Sequence, residues 1–229
     1  MKWLHFILSH SIFVSVCAVA LCFQTFSILH IVSNNYIYGF IFCATLSSYN
    51  FYWLISKYYF NKHLSIADFL RKNFSNILLF SLAGVGVLIF LYFLPGILTH
   101  ACIAGILTLL YSIPLWPFKK PLYFLNAGFL KTVLLAFTWA YVTVIIPVQQ
   151  SIFISSLPVG FLFASRFFFM LILCTIFDSR DIHVDKIHAL KSLATDVNKH
   201  TLQVIMAIVF TLYITAGLFL RYYLIPMHR

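Results

Sequence analysis

Long apolar runs, broken only by single charges or Pro, dominate the chain and leave few folds open to it. A helix crossing about 30 Å of hydrocarbon needs roughly 20 mostly apolar residues, whereas a membrane barrel repeats alternating strands of about ten. Runs bounded by charge or Pro predict helical spans near 11–31, 36–60, 74–94, 96–113, 125–146, 152–177 and 201–225. The third and fourth are parted only by Pro95-Gly96. That pair reads as a tight turn between antiparallel helices, because about 40 apolar residues exceed one crossing. Composition agrees: 62% of residues are apolar and 9% charged, against about 25% charged in a soluble domain. The expected fold is therefore all-α, a polytopic transmembrane helical bundle of about seven spans, and ordinary cytosolic enzymes, coiled coils and disordered chains are excluded.

The cations set a direction. Lys2 precedes the first span; Lys57, Lys62, Arg71 and Lys72 lie between the second and third; Lys119, Lys120 and Lys131 flank the link from the fourth to the fifth; Arg180, Lys186, Lys191 and Lys199 follow the sixth. Only Arg221 and Arg229 fall on the other side, and Arg166 lies inside the sixth span. Cytoplasmic loops carry the excess of Lys and Arg, so the N-terminus is expected in the cytoplasm. The net charge of +10 is then a topology signal and no sign of a nucleic-acid partner. The expected location is a multi-pass one, in a bacterial inner membrane.

Ala18-Val19-Ala20 resembles a signal-peptidase site, but the apolar run continues to Val32, beyond the usual 7–15-residue h-region, so the first span is expected to be retained. Cys17, Cys22, Cys43, Cys102 and Cys174 all lie in apolar runs without a C-x-x-C pair and read as packing residues. No repeat or Gly/Ser-rich linker divides the chain, so residues 1–229 read as a single transmembrane helical domain. Ala101 and Gly105, four apart, suggest a close helix approach.

Acids are the scarce resource: there is no Glu, and the five Asp are Asp68, Asp178, Asp181, Asp185 and Asp196. Asp178, Asp181 and Asp185 are spaced i, i+3, i+7, which puts them on one face if the sixth helix continues into the membrane mouth. Adjacent carboxylates repel, so a cation is expected among them, and oxygen donors suit a hard ion such as Mg²⁺. The plainer alternative is a set of solvated acids neutralised by Arg180 and Lys186. Polar residues at membrane depth or a bundle mouth are functional by default, which favours the cation site. His183 and His188 read as interfacial histidines, since no zinc-ligand spacing closes around them.

The run Asp178-Ser179-Arg180-Asp181-Ile182-His183-Val184-Asp185, followed by Lys191-Ser192-Leu193, resembles the second aspartate-rich motif of the UbiA superfamily of intramembrane aromatic prenyltransferases. Tyr111-Ser112 with Lys119-Lys120 is similar to the family's segment after its fourth helix. The resemblance implies a UbiA-like bundle in which Asp178, Asp181 and Asp185 are Mg²⁺ ligands. It implies Lys186, Lys119 and Asn50 as diphosphate-binding residues, with the catalytic residues unknown. The implied reaction moves a polyprenyl group from a prenyl diphosphate to an aromatic or other electron-rich acceptor, the metal and cations stabilising the departing diphosphate. The implied partners are the membrane lipid bilayer, a polyprenyl diphosphate and an aromatic acceptor.

The family's first motif, N-D-x-x-D-x-x-x-D, aligns on Asn50, where Phe51, Leu54 and Tyr58 replace the three carboxylates. The family's nine helices also exceed the seven spans read here. A non-catalytic UbiA-fold protein that binds lipid, isoprenoid or a partner is therefore the alternative. A transporter built around Arg166 is the third reading. A CDP-alcohol phosphotransferase motif needs Gly where Ile182 stands, and no A-R follows.

Overall fold

The computed structural model describes residues 10–60, 65–112, 128–149, 156–187 and 198–224; for 59, 60, 66, 128, 181–187 and 199 it gives the backbone alone. Of the described residues 93% are helical and none is in a strand, which makes the chain an all-helical protein. Six helices are long and apolar enough to cross a membrane: Ile12–Leu29, Phe74–Phe93, Pro95–Ser112, Phe129–Val148, Ser156–Arg180 and His200–Leu224. The chain is accordingly a multi-pass membrane protein in contact with a lipid bilayer. The expected span at 36–60 is present as the helix Asn35–Phe60, but Ser47, Ser48, Asn50, Ser56, Lys57 and a run of Tyr make it too polar to join the six.

The described chain divides into two compact units, the first ending at Cys102 and the second beginning at Ile103. The first unit holds α1 (Ile12–Leu29), α2 (Asn35–Phe60), the short α3 (Ile66–Lys72), α4 (Phe74–Phe93) and the beginning of α5 (Leu98–Ser112). Helix α1 stops at His30, whose φ of 52° is left-handed while its N–H still bonds to Phe26 O. An L-residue in that conformation costs roughly 1–2 kcal/mol, so it ends a helix and cannot propagate one. Only Ile31–Asn34 then connect α1 to α2, and such a short link makes the two antiparallel neighbours. Ala18, Cys22, Ile37 and Ile41 are completely buried.

Helices α2 and α4 run antiparallel along a seam read directly from its contacts. Tyr36 stacks on Phe93 with ring centroids 5.1 Å apart, and Phe51 on Phe80 at 5.9 Å. Between them a Cβ on Gly39 would land in the Phe90 ring, and one on Gly86 would come within 2.7 Å of Cys43 Sγ. Each helix thus contributes a glycine opposite a side chain of the other, which lets the backbones approach closely. At the expected approach of Ala101 and Gly105, a Cβ on Gly105 would meet no described atom within 4 Å. Spacing alone made that pair look like a contact surface, whereas Gly39 and Gly86 carry no such pattern. The turn at Pro95-Gly96 is a 3-10 turn over Pro95–Ile97, with Pro in its first positions.

The second unit holds the rest of α5, then α6 (Gly128–Ala140), α7 (Ser156–Ile187) and α8 (Lys199–Leu224). After Ala140 the α6 chain continues as a π turn, Tyr141–Ile145, and a final turn, Ile146–Val148. In the π turn the Ile146 N–H bonds to Tyr141 O, five residues back, and Pro147 next in line has no N–H to donate. Helix α7 packs against both α6 and α8. Phe161 stacks on Phe219 and Tyr223 across the α7/α8 seam, with centroids 5.3 and 5.4 Å apart. All five cysteines are free thiols; Cys22 and Cys174 are buried and Cys102 is exposed.

Candidate acidic site at the end of helix α7

Helix α7 is 32 residues long, about 48 Å at 1.5 Å per residue. That exceeds the roughly 30 Å hydrocarbon core, so an uninterrupted α7 must carry one end beyond it. The apolar stretch runs from Ser156 to Arg180, and the helix then continues to Ile187. Positions 178, 181 and 185 are therefore all helical and share one face by register. The side chains of Asp181, Asp185 and Lys186 lie outside the described residues, as do Lys119 and Lys120 altogether.

Asp178 is held from a different helix. The Thr132 hydroxyl donates to Asp178 Oδ2 at 2.7 Å, a length typical of a bond to an ionised acceptor. Thr132 is buried and starts a stripe of small side chains on α6, Thr132, Ala136 and Ala140, at four-residue intervals, of which the two alanines are 0% exposed. Small residues at that spacing bring helices close. Lys131 precedes Thr132, so a cation stands at the same end of α6. One turn back on α7, Thr175 donates to Leu171 O and Ser179 to Thr175 O, so both hydroxyls are spent on their own helix. The Arg180 guanidinium lies over the Phe177 ring, 5.2 Å from its centroid.

Nothing in the sequence around Thr132 marks it as a partner of Asp178; a lone Thr inside an apolar helix has no motif, and the two are 46 positions apart. This end offers a carboxylate with one oxygen fixed by a hydroxyl, and positions 181 and 185, both Asp, fall on the same helix face by register. Such donors fit a hard divalent ion. Among the described side chains no three of His, Cys, Asp and Glu gather as a metal-binding group.

Asn50 sits in the first unit and is 1% exposed. Its amide nitrogen donates to Leu46 O at 2.8 Å and to His10 O at 3.3 Å. The first bond stays within α2, and the second ties the middle of α2 to the chain just before α1. Tyr111 and Ser112 are buried at the end of α5, the Ser112 hydroxyl donating to Thr108 O at 2.8 Å.

Arg166 is 4% exposed and twelve residues before Asp178, about 18 Å along the helix axis. The pairs Thr132–Asp178, Phe137–Phe163 and Phe137–Phe167 set an antiparallel register between α6 and α7. Arg166 lies between Phe163 and Phe167, both of which meet the Phe137 ring, so its level on α6 is near Phe137. A guanidinium at this depth belongs to the protein interior and not to lipid.

Compared with protein-family models, with curated proteins and with solved structures, the chain matches none.

Proposed function

We propose that the chain is a UbiA-like membrane prenyltransferase homologue whose donor diphosphate is received at the cytoplasmic end of α7. The observation that carries this reading is Asp178, fixed by Thr132 at the point where an unbroken helix leaves the apolar layer with two more Asp on the same face. In this reading Asp178, Asp181 and Asp185 hold Mg²⁺, which when bound supplies positive charge for the diphosphate leaving group. Thr132 orients the carboxylate of Asp178. Lys186 and Lys119 add cationic charge for the diphosphate, and the Phe-rich faces of α7 and α8 shield an allylic cation from water.

The same proposal makes α2 a seventh span. Its contacts with α4 run from Tyr36–Phe93 to Phe51–Phe80, about 22 Å of continuous antiparallel packing against a helix that is itself apolar enough to cross. It also keeps the N-terminus in the cytoplasm of a bacterial inner membrane, on the side where twelve of the fifteen Lys and Arg fall.

Purified protein supplied with labelled polyprenyl diphosphates, aromatic acceptors and Mg²⁺ tests the proposal. Transfer that disappears when Asp178→Ala is combined with Asp181→Ala supports it. An inactive wild type across several donors and acceptors, or activity that survives the double substitution, removes it.

Asn50 favours a second reading, a non-catalytic UbiA-fold protein that binds an isoprenoid or a partner. Its amide hydrogens are already given to backbone carbonyls, and no carboxylate stands at Phe51, Leu54 or Tyr58. Binding of an isoprenoid diphosphate without turnover is its expected signature.

A further inference from the structure

The short helix α3 and the end of α2 form a second charged place, separate from the acids of α7. Ser65 caps α3: its hydroxyl oxygen accepts the Asp68 N–H at 3.2 Å and donates to Asp68 Oδ2 at 2.6 Å. The only acid of the first unit is thereby engaged at the start of a seven-residue helix, a local cap whose carboxylate suits the N-terminal end of the dipole. At the other end of α3, Arg71 and Lys72 are exposed. Phe69 is buried and meets the Tyr58 ring edge-on at 5.5 Å, which docks α3 against the last turns of α2. That docking puts the half-buried Lys57, next to Tyr58, at the same corner as Lys72, one turn after Phe69. Asn73 closes the corner, its side-chain amide donating to Phe69 O at 3.0 Å before α4 begins.

Around these three cations stand large apolar side chains that the first unit leaves exposed. Trp53 on α2 is 47% exposed, Leu70 on α3 48% and Phe74 at the start of α4 65%. Cations beside exposed Trp, Leu and Phe are the composition of a membrane interface, where stems and rings enter the acyl region and charges meet headgroups. Anionic headgroups attract each nearby Lys or Arg by about 1 kcal/mol.

We propose that Lys57, Arg71 and Lys72 form a surface that selects anionic phospholipids by the net negative charge of their headgroups, with Trp53, Leu70 and Phe74 seated in the adjoining acyl region. The surface does not depend on prenyl chemistry and holds for a catalytic or a non-catalytic chain alike.

Trp53 reports on it directly. In a chain keeping Trp53 alone (Trp3→Phe, Trp116→Phe, Trp139→Phe), reconstituted into mixed vesicles, brominated phosphatidylglycerol should quench its fluorescence several-fold more effectively than brominated phosphatidylcholine at equal mole fraction. The preference should fall to parity in Lys57→Gln/Arg71→Gln/Lys72→Gln and weaken with added sodium chloride, while Arg221→Gln leaves it intact. Equal quenching by the two lipids in the parent, a preference that survives the triple substitution, or its equal loss in Arg221→Gln overturns the proposal. Inorganic phosphate that abolishes the preference where chloride of equal ionic strength does not would reassign the surface to a soluble anion. Should the single-Trp chain not fold, retention of phosphatidylglycerol over phosphatidylcholine by the otherwise unsubstituted chain in native mass spectrometry reads the same selectivity. The triple substitution should remove that retention as well, and its persistence overturns the proposal.

Discussion

Asp68 in the first unit and Asp178 in the second are both hydroxyl-bonded carboxylates, yet they are fixed in different ways. Asp68 is paired with Ser65, three residues away on the same helix, so its position follows from local sequence. Asp178 is paired with Thr132 from another helix, across 46 positions, so it exists only if α6 and α7 pack in register. The buried amides of the first unit are in part of the local kind: Asn50 and Asn73 each donate to a carbonyl four residues back, while Asn50 also donates to His10 O, 40 positions away. A group satisfied locally is finished with its work when its helix forms. A carboxylate placed by tertiary packing can be aimed, and Asp178 is placed in that way where Asp68 is not.

The strongest test of that contrast is Arg166→Ala. Removing a large buried cation strands the polar groups it serves and leaves a void, so a loss of about 3 kcal/mol is expected, measured by thermal unfolding in detergent. A variant as stable as the parent would mean that the interior of the second unit does not depend on its polar groups. Next comes Gly39→Leu in the first unit. Its side chain must displace the Phe90 ring, and overpacking of this kind costs about 2 kcal/mol, with no expected effect on Mg²⁺ binding.

Thr132→Val follows, costing about 1.5 kcal/mol for a lost bond to a charged acceptor. Support to a metal-binding carboxylate is usually worth 10-fold or more in affinity, so Mg²⁺ titration should weaken about 10-fold and recover in Thr132→Ser. Stability lost without any change in Mg²⁺ affinity would reduce Thr132–Asp178 to a packing contact. The smallest effect is expected for Asn50→Leu, about 1 kcal/mol with unchanged isoprenoid diphosphate binding. A large loss of that binding would instead give Asn50 the ligand role that its motif position suggests.

Much of the helical plan is legible in hydropathy. Span limits of 74–94 and 201–225 agree closely with Phe74–Phe93 and Lys199–Leu224, because apolar length is a signal averaged over many residues. Helix α7 continuing past the apolar layer to Ile187 follows from the same logic, since D-x-x-D-x-x-x-D has a helical period. The short α3 escaped such a reading because seven residues give too little periodicity. The Gly39/Phe90 and Thr132/Asp178 pairings escaped it for a different reason: each joins residues far apart in the chain. Ala101 and Gly105 show the converse, a spacing that looks like a contact surface with no described neighbour against Gly105.

The π turn at Tyr141–Ile145 gives the second unit a frame that depends on residue count. A turn bonded five residues back holds one residue more than an α turn, and each residue is worth about 100° of rotation. Deleting one residue there, with ordinary α bonding restored, removes the stored residue and leaves Gly128–Ala140 and Pro147 nearly aligned. Deleting one between Thr132 and Ala140, where no extra residue is stored, would instead turn Thr132 away from Asp178 by about that angle. The π turn is thus the place where α6 can give up a residue, and a single-residue deletion within Tyr141–Ile145 should be far better tolerated than one between Thr132 and Ala140.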